Sequence, residues 1–121
     1  MKPIMIVDDS PTMLASIEAI LAEKNHTVIT ADSGEMAAEK LGAGARPGLI
    51  ITDLNMPGMD GIELIHAIRK MPRHRFTPII MLTTESKDAL RDQAKAAGAS
   101  GWIVKPVDRD SLLQVVGQVL P

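Results

Sequence analysis

Short, continuously apolar segments alternate along this chain with longer segments in which apolar residues recur every three or four positions. The apolar runs are Ile4–Val7, the weaker Thr27–Thr30, Leu49–Thr52, Pro78–Leu82 and Gly101–Val104. An uninterrupted apolar run is typical of a strand covered on both faces, and the periodic segments are typical of amphipathic helices. The alternation predicts an α/β fold of five strand–helix units around a parallel sheet, within one domain over residues 1–121.

Polar residues and prolines mark the expected helix ends. Helix N-caps are predicted at Ser10, Ser33, Asp60 and Asp108. Pro11 suits the first turn of the first helix, the second helix is expected over Glu35–Leu41, and Glu63 completes a capping box with the third cap. The segment Lys87–Ala97 is helical by propensity, but its apolar residues are mostly alanines. We therefore expect this helix to be weakly anchored.

Composition limits the classes of function. The chain has 121 residues, a net charge of −2 and no cysteine, so neither a nucleic-acid interface nor a disulfide or thiolate site is expected. No hydrophobic segment is long enough for a signal peptide or a membrane span, which favours a cytoplasmic protein. Phe76 and Trp102 are the two aromatic residues, so each isolated aromatic position needs an explanation. The histidines, His26, His66 and His74, do not cluster and are expected on the surface.

Chemically active side chains follow four of the predicted strands. Asp8 and Asp9 follow the first, Asp53 the third, Thr83 the fourth and Lys105 the fifth. Ligand sites in open parallel sheets form outside the carboxyl ends of the strands, so these side chains should meet in one cleft. Neighbouring carboxylates repel unless a cation joins them, and oxygen ligands without His or Cys suit Mg²⁺ or Ca²⁺. Mg²⁺ is preferred if a phosphate completes the coordination shell.

The strand-end carboxylate Asp53 is a candidate nucleophile for a phosphoryl group. The cation and Lys105 would neutralise charge during transfer, and the Thr83 hydroxyl could donate to a phosphoryl oxygen. Each of these residues also has an interpretation without function. The pair Asp8-Asp9 is favourable at the start of a helix, and Asp53 could simply form a turn. A cis bond between Lys105 and Pro106 would aim the ammonium, although most X–Pro bonds are trans.

These residues resemble the receiver domain of two-component response regulators. The matching features, in chain order, are Asp8-Asp9, Asp53 within Asp-Leu-Asn-Met-Pro-Gly-Met-Asp-Gly, Thr83, and Lys105-Pro106. The match spans the whole chain, and the length is similar to the single-domain, CheY-like type. The resemblance implies a flavodoxin-like fold with strand order 2-1-3-4-5, helices on both faces and no output domain.

The resemblance also implies a mechanism and partners. A sensor histidine kinase would phosphorylate Asp53, and the domain would catalyse its own phosphoryl transfer and hydrolysis without being a conventional enzyme. Implied contacts to Mg²⁺ are direct for Asp9, Asp53 and the backbone carbonyl of Asn55, and mainly through water for Asp8. Thr83 and Lys105 would contact the phosphoryl group. The protein would be a phosphorylation-activated switch. Its expected role is in the control of chemotaxis or motility. A phosphorelay intermediate or a kinase-feedback regulator would have the same domain structure and is the alternative.

The implied switch has one departure from the family pattern. Trp102 stands where the family usually has a Tyr or Phe that rotates inward together with Thr83. Because an indole is larger than the ring of Tyr or Phe, we expect the inward rotamer to be restricted. The alternative is that Trp102 has no role in the switch and only packs on the fifth strand. Phosphorylation adds about −1.5 to −2 charges, which would draw the Thr83 hydroxyl and let the weakly anchored helix shift. The face formed by Lys87–Val119 is therefore the expected surface for a downstream protein, and a monomer is expected.

Asn55 and Glu85 lie two residues after Asp53 and Thr83 respectively. In the family, such positions flank the attacking water, so the resemblance implies that both side chains influence the lifetime of the phosphoryl group. Solvated loop residues without such a role are the alternative.

Other functional classes share parts of this pattern. A haloacid-dehalogenase-type phosphohydrolase also uses a strand-end Asp, a Thr, a Lys and Mg²⁺, but it usually carries Asp-x-Asp at the first strand and has a cap domain. Here the acids Asp8 and Asp9 are adjacent, and the candidate nucleophile Asp53 is on the third strand. A flavin-binding electron carrier would need a phosphate loop where this chain carries two acids. A binding module that is never phosphorylated is the remaining alternative.

Overall fold

The computed structural model describes residues 2–84 and 87–120, and within them strands and helices alternate along the chain. The elements are β1 Ile4–Val7, α1 Pro11–Ala22, β2 Val28–Ala31, α2 Gly34–Gly42, β3 Leu49–Asp53, α3 Gly61–Arg69, β4 Ile79–Thr83, α4 Asp88–Ala97, β5 Gly101–Val104 and α5 Arg109–Val119, with a short 3₁₀ helix at Pro72–His74. The strands are parallel in the order β2-β1-β3-β4-β5. The predicted α/β fold and the implied strand order are both confirmed.

Successive side chains along each strand enter two separate hydrophobic clusters. In β1, Met5 and Val7 belong to the cluster that contains residues of α2, α3 and α4, whereas Ile4 and Ile6 belong to the cluster that contains residues of α1 and α5. Helices thus cover both faces of the sheet, as expected for strands that are apolar at every position. Polar side chains from the central strands can then reach solvent only at the two edges where the strands begin and end.

Strands β3 and β4 are each one residue longer at their carboxyl ends than predicted. Asp53 pairs in register with Leu82, and Thr83 pairs with Val104, so both polar residues belong to the sheet. At its other end β4 begins after Pro78, which has no N–H to donate to a neighbouring strand. The strand geometry therefore fixes the backbone of two candidate site residues.

The predicted helix caps form. Backbone amides donate to the side chains of Ser10, Ser33, Asp60 and Asp108. The capping box of α3 is reciprocal, because the Glu63 amide donates to Asp60 at 2.8 Å and the Asp60 amide donates to the Glu63 carboxylate at 3.2 Å. These caps satisfy amides that the first helical turn leaves without partners.

Helix α4 is attached to the rest of the molecule mainly through its last turn. Its buried residues are two alanines, Ala94 and Ala97, and Lys87 at its start provides no side-chain cap among the described residues. At its end Gly98 has φ +116°, and its carbonyl accepts two hydrogen bonds from the Arg69 guanidinium, at 2.7 and 3.2 Å. The start of α4 is therefore less anchored than its end, which agrees with the weak anchoring expected from the sequence.

One histidine lies where the sequence did not predict it. His74 is only 3% exposed, whereas His66 is exposed and His26 is half-buried. The 3₁₀ helix turns the His74 ring inward, and Nδ1 lies 3.1 Å from the Thr77 hydroxyl. The expectation of a surface position is therefore wrong for His74.

No helix in the described part of the chain is long and apolar enough to cross a membrane.

Candidate functional site

Three carboxylates meet at the carboxyl edge of the sheet. One oxygen each of Asp8, Asp9 and Asp53 lies within 4.8 Å of the others. Asp8 and Asp53 are 2% and 7% exposed, whereas Asp9 is exposed. Their elements explain the meeting, since Asp8 follows β1, Asp53 ends β3, and these strands are direct neighbours. Carboxylate oxygens in this arrangement, without nitrogen or sulfur ligands, suit a hard divalent cation.

The Lys105 ammonium lies against two of these acids. Its Nζ is 3.1 Å from Oδ1 of Asp53 and 3.3 Å from Oδ2 of Asp8. Lys105 follows β5, so its side chain extends over the end of β4 to reach the ends of β3 and β1. The Lys105–Pro106 bond is cis. The Lys105 amide donates to the Thr83 carbonyl at 2.7 Å, which fixes the lysine backbone beside the fully buried threonine.

The charges of this cluster are not balanced by its own residues. Burial raises the pKa of Asp53, and the Asp8 charge adds to this effect, while the hydrogen bond from Lys105 opposes it only in part. Burial by itself would lower the pKa of Lys105, but the adjoining Asp53 and Asp8 carboxylates outweigh burial and raise it. The lysine therefore stays an ammonium, and one positive charge faces three acids. A bound cation would supply the missing positive charge.

The loop after β3 starts in a tightly packed position. The Leu54 amide donates to Oδ1 of Asp53 at 2.9 Å, which orients the carboxylate. At Gly61, the first residue of α3, a Cβ atom would lie 2.4 Å from the Asp53 carbonyl oxygen, so a larger residue would force the chain apart. Gly61 is the last residue of the motif that begins at Asp53, but no role was predicted for it from the sequence.

Helix α2 holds the middle of the same loop. The Glu35 carboxylate accepts the Met59 amide at 3.2 Å. Gly58 has φ +73°, a conformation that favours glycine, and a Cβ there would lie 2.6 Å from the same carboxylate. The Met59 side chain in turn packs against Gly34. Sequence reasoning missed Glu35 as a loop anchor, and no local signal marks a contact between residues 24 positions apart.

The other candidate residues are Asn55, Glu85 and Trp102. Asn55 is exposed in the loop after β3, and Glu85 lies outside the described residues. Trp102 is half-buried on the side of β5 that faces α4, and its indole N–H is buried with no hydrogen-bond partner among the described residues. With α4 it lines a groove of about 530 Å³.

In a doubly wound parallel sheet, ligand sites form outside the carboxyl ends of the strands, and in this α/β domain the acid cluster and the lysine lie there. The sequence matches the response regulator receiver domain family over residues 4–117, and the chain belongs to that family. Receiver domains are signalling proteins rather than conventional enzymes. This match decides against the phosphohydrolase and flavin-carrier alternatives.

Individual relatives agree over nearly the full chain. Protein PilH of Pseudomonas aeruginosa is 32% identical over 120 residues, which cover 99% of this chain and 98% of that protein. The structure of the Vibrio cholerae chemotaxis protein CheY4 has a TM-score of 0.94 and 39% identity, covering 99% of both chains. Response regulator TrrA of Thermotoga maritima, solved in complex with Mg²⁺–BeF, has a TM-score of 0.87 and 34% identity, covering 99% of this chain and 100% of that one. The resemblance predicted from the motifs is confirmed.

Proposed function

We propose that this receiver domain is switched on when Asp53 accepts a phosphoryl group from the phosphohistidine of a sensor histidine kinase. One Asp53 oxygen would bond to phosphorus as the P–N bond of the donor breaks, and the leaving imidazole would take up a proton. The observation that carries this proposal is the Lys105 ammonium, 3.1 Å from Asp53 and 3.3 Å from Asp8 inside an acid cluster. An anionic donor can approach a carboxylate only where such positive charge is provided.

Mg²⁺ is the proposed cofactor. The donor set supports it, since three carboxylates lie within 4.8 Å and face a single ammonium. We assign Asp9, Asp53 and the Asn55 backbone carbonyl as direct ligands, with Asp8 acting mainly through water. When bound, the ion neutralises charge on the phosphoryl oxygens. The TrrA structure, solved with Mg²⁺–BeF, supports this choice for a homologous domain.

The chain's own residues supply the rest of the phosphoryl chemistry. Lys105 is held by the contact between its amide and the Thr83 carbonyl, so its ammonium is oriented before the phosphoryl group arrives. We assign the Thr83 hydroxyl as a donor to a phosphoryl oxygen. Asn55 and Glu85 are assigned to control the approach of the water that later hydrolyses the acyl phosphate. The domain would thus promote both its own phosphorylation and its own dephosphorylation.

The signal would leave through α4, β5 and α5. Movement of Thr83 towards the phosphoryl group would pull the start of α4, which has two buried alanines and no side-chain cap among the described residues. Trp102 lines the groove beside this helix, so its position would change with the helix. We propose that the Lys87–Val119 face binds a downstream protein and that the domain acts as a monomer. The likeness to CheY4 and PilH favours a role in chemotaxis or motility.

The test is incubation with acetyl phosphate and Mg²⁺ followed by intact-mass measurement. We expect a gain of one phosphoryl group, which EDTA and the variant Asp53→Asn both prevent. The matched control is Asp92→Asn, which removes an exposed carboxylate on α4 and should leave the gain unchanged. Phosphorylation of Asp53→Asn to the wild-type extent would overturn the proposal. A change in Trp102 fluorescence on addition of beryllofluoride would support the output path, and an unchanged signal would contradict it.

A further inference from the structure

The edge of the sheet opposite the acid cluster is basic. Segments 40–52 and 64–84, which include the loops leading into β3 and β4, contain no aspartate or glutamate. Exposed cations in or beside the segments that lead into β1, β3 and β4 are Lys2, Arg46, Lys70, Arg73 and Arg75. The amino ends of these three strands therefore lie in a basic region, opposite the acid cluster at the carboxyl ends of β1 and β3. The function proposed above uses only the carboxyl edge.

An exposed phenylalanine lies in this basic edge. Phe76 is 88% exposed, and the Arg75 guanidinium lies over its ring, 5.6 Å from the centroid. Beside it is a groove of about 270 Å³, here called the Phe76 groove, lined by Lys2, Pro47, Pro72, Arg73, Arg75 and Phe76 among others. Single exposed apolar residues are common and need no function. Phe76 differs from such residues because a groove and several cations lie beside it.

The backbone on both sides of Phe76 is held by hydrogen bonds from the half-buried Arg69. Arg69 donates to the carbonyl of His74 at 2.8 Å and to the carbonyl of Thr77 at 2.7 Å. The His74 ring is buried and lies within hydrogen-bond distance of the Thr77 hydroxyl. Because the residues around it are held from inside, Phe76 is directed to solvent by the fold itself. A preorganised surface of this kind costs less conformational entropy to bind a partner.

The charge of the groove identifies the chemistry of the partner. Within residues 2–84 and 87–120, Lys2, Arg73 and Arg75 form no ion pair with a carboxylate of this chain. Arginines without an ion-pair partner in this chain can form bidentate pairs with carboxylates of another molecule. An aromatic ring that stacks on an arginine offers an apolar contact beside them. We propose that the Phe76 groove binds an extended, acidic segment of a partner protein, with its carboxylates on Arg73 and Arg75 and an apolar side chain against Phe76.

A protein segment fits the groove better than other anionic partners. A membrane surface is flat, whereas this site is concave and bordered by prolines. Single-stranded nucleic acid would need several aromatic platforms, and the groove has one. The strands separating the two edges are four or five residues long, about 15 Å. A segment bound in the groove would therefore leave Asp53 accessible, so that the domain could be held by one partner while another phosphorylates it.

The probe is an array of decapeptides rich in Glu and Asp, each with one Leu, Phe or Trp, paired with copies in which Gln and Asn replace the acids. We expect acidic members to bind and their neutral copies to fail, and NMR shifts with the best peptide should centre on Gly48 and Arg73–Thr77. The double variant Arg73→Glu with Arg75→Glu should weaken binding at least about tenfold, and Phe76→Ser several-fold.

The matched control is the single charge reversal Lys24→Glu, at an exposed lysine after α1 that does not line the groove, compared with Arg73→Glu alone. It should bind the peptide normally. Equal loss in this control, or no preference for acidic over neutral peptides, would overturn the proposal. Capture by anionic lipid vesicles that needs Phe76, without peptide binding, would overturn it in favour of a membrane. All variants should still accept one phosphoryl group on Asp53, so failure here is distinguishable from failure of the proposed switch.

Discussion

The two edges of the sheet handle buried charge in opposite ways. At the carboxyl edge, Asp8 and Asp53 lie together in the interior and share one ammonium from Lys105. At the amino edge, the half-buried Arg69 donates to three backbone carbonyls, at Gly98, His74 and Thr77. The first edge therefore holds more charge than it can compensate internally, while the second surrounds its charge with fixed dipoles.

This difference separates a site for ligands from a structural anchor. Buried like charges cost free energy unless a counter-ion arrives, so the carboxyl edge gains most of its stability from what it binds. A half-buried guanidinium that donates four hydrogen bonds to backbone carbonyls contributes to stability without a ligand, because its removal leaves these carbonyls without their donor. The comparison predicts that substitutions at the amino edge weaken the fold regardless of Mg²⁺, whereas those at the carboxyl edge depend on the ion.

The largest expected effect is on the amino edge. Replacing Arg69 with Met should lower the free energy of unfolding by about 3 kcal/mol, because the carbonyls of His74 and Thr77 in one loop and of Gly98 after α4 lose their donor. Urea unfolding should show the same loss in EDTA and in Mg²⁺. The control Arg91→Met, on the exposed side of α4, should change stability by no more than about 0.5 kcal/mol. Equal effects of the two substitutions would refute the assignment of Arg69 as an anchor.

The next effect is on the carboxyl edge. Lys105→Met removes the cation between Asp8 and Asp53, and in EDTA it should lower the free energy of unfolding by about 2 kcal/mol. Millimolar Mg²⁺ should restore much of this loss, since the ion replaces the missing positive charge. Lys95→Met, an exposed lysine on α4, serves as the control. If Mg²⁺ stabilises wild type and Lys105→Met by equal amounts, the ammonium does not share the acids with the ion.

A smaller effect of opposite sign is expected for Asp53→Asn. Burial raises the pKa of Asp53 above its ordinary value of 3.8, so the folded state binds more protons than the unfolded state just above that pH. Stability contributed by this group is therefore lost as pH rises through the folded pKa. In EDTA at neutral pH, Asp53→Asn should stabilise the fold by about 1 kcal/mol, and the gain should vanish below pH 3.8. Asp92→Asn should show no such gain, and a destabilised Asp53→Asn would exclude charge repulsion as the dominant effect.

The sequence predicts the carboxyl edge better than the amino edge, for a physical reason. Asp8 follows β1, Asp53 ends β3 and Lys105 follows β5, and a parallel sheet brings strand ends together whatever the loops do. By contrast, the contacts of Arg69 reach Gly98, 29 residues away, and depend on how a loop folds. The position of His74 was wrongly predicted for the same reason, because a polar loop residue gives no periodic signal of burial.

The smallest expected effect is that of His74, and it tests whether an added, uncompensated positive charge destabilises the amino edge. Burial lowers the pKa of His74, and the nearby charges of Arg73, Arg46 and Arg69 add to this shift. Between the lowered folded pKa and the ordinary value of 6.5 the unfolded state binds more protons, so stability should fall as pH drops below 6.5. His74→Gln should remove about 1 kcal/mol or less of this acid loss, measured by urea unfolding between neutral pH and about pH 5. His66→Gln, at an exposed site on α3, should leave the acid loss unchanged. If His74→Gln loses as much unfolding free energy at acid pH as wild type does, protonation of His74 does not destabilise the fold. The contrast between the two edges would then not apply to a histidine that gains charge.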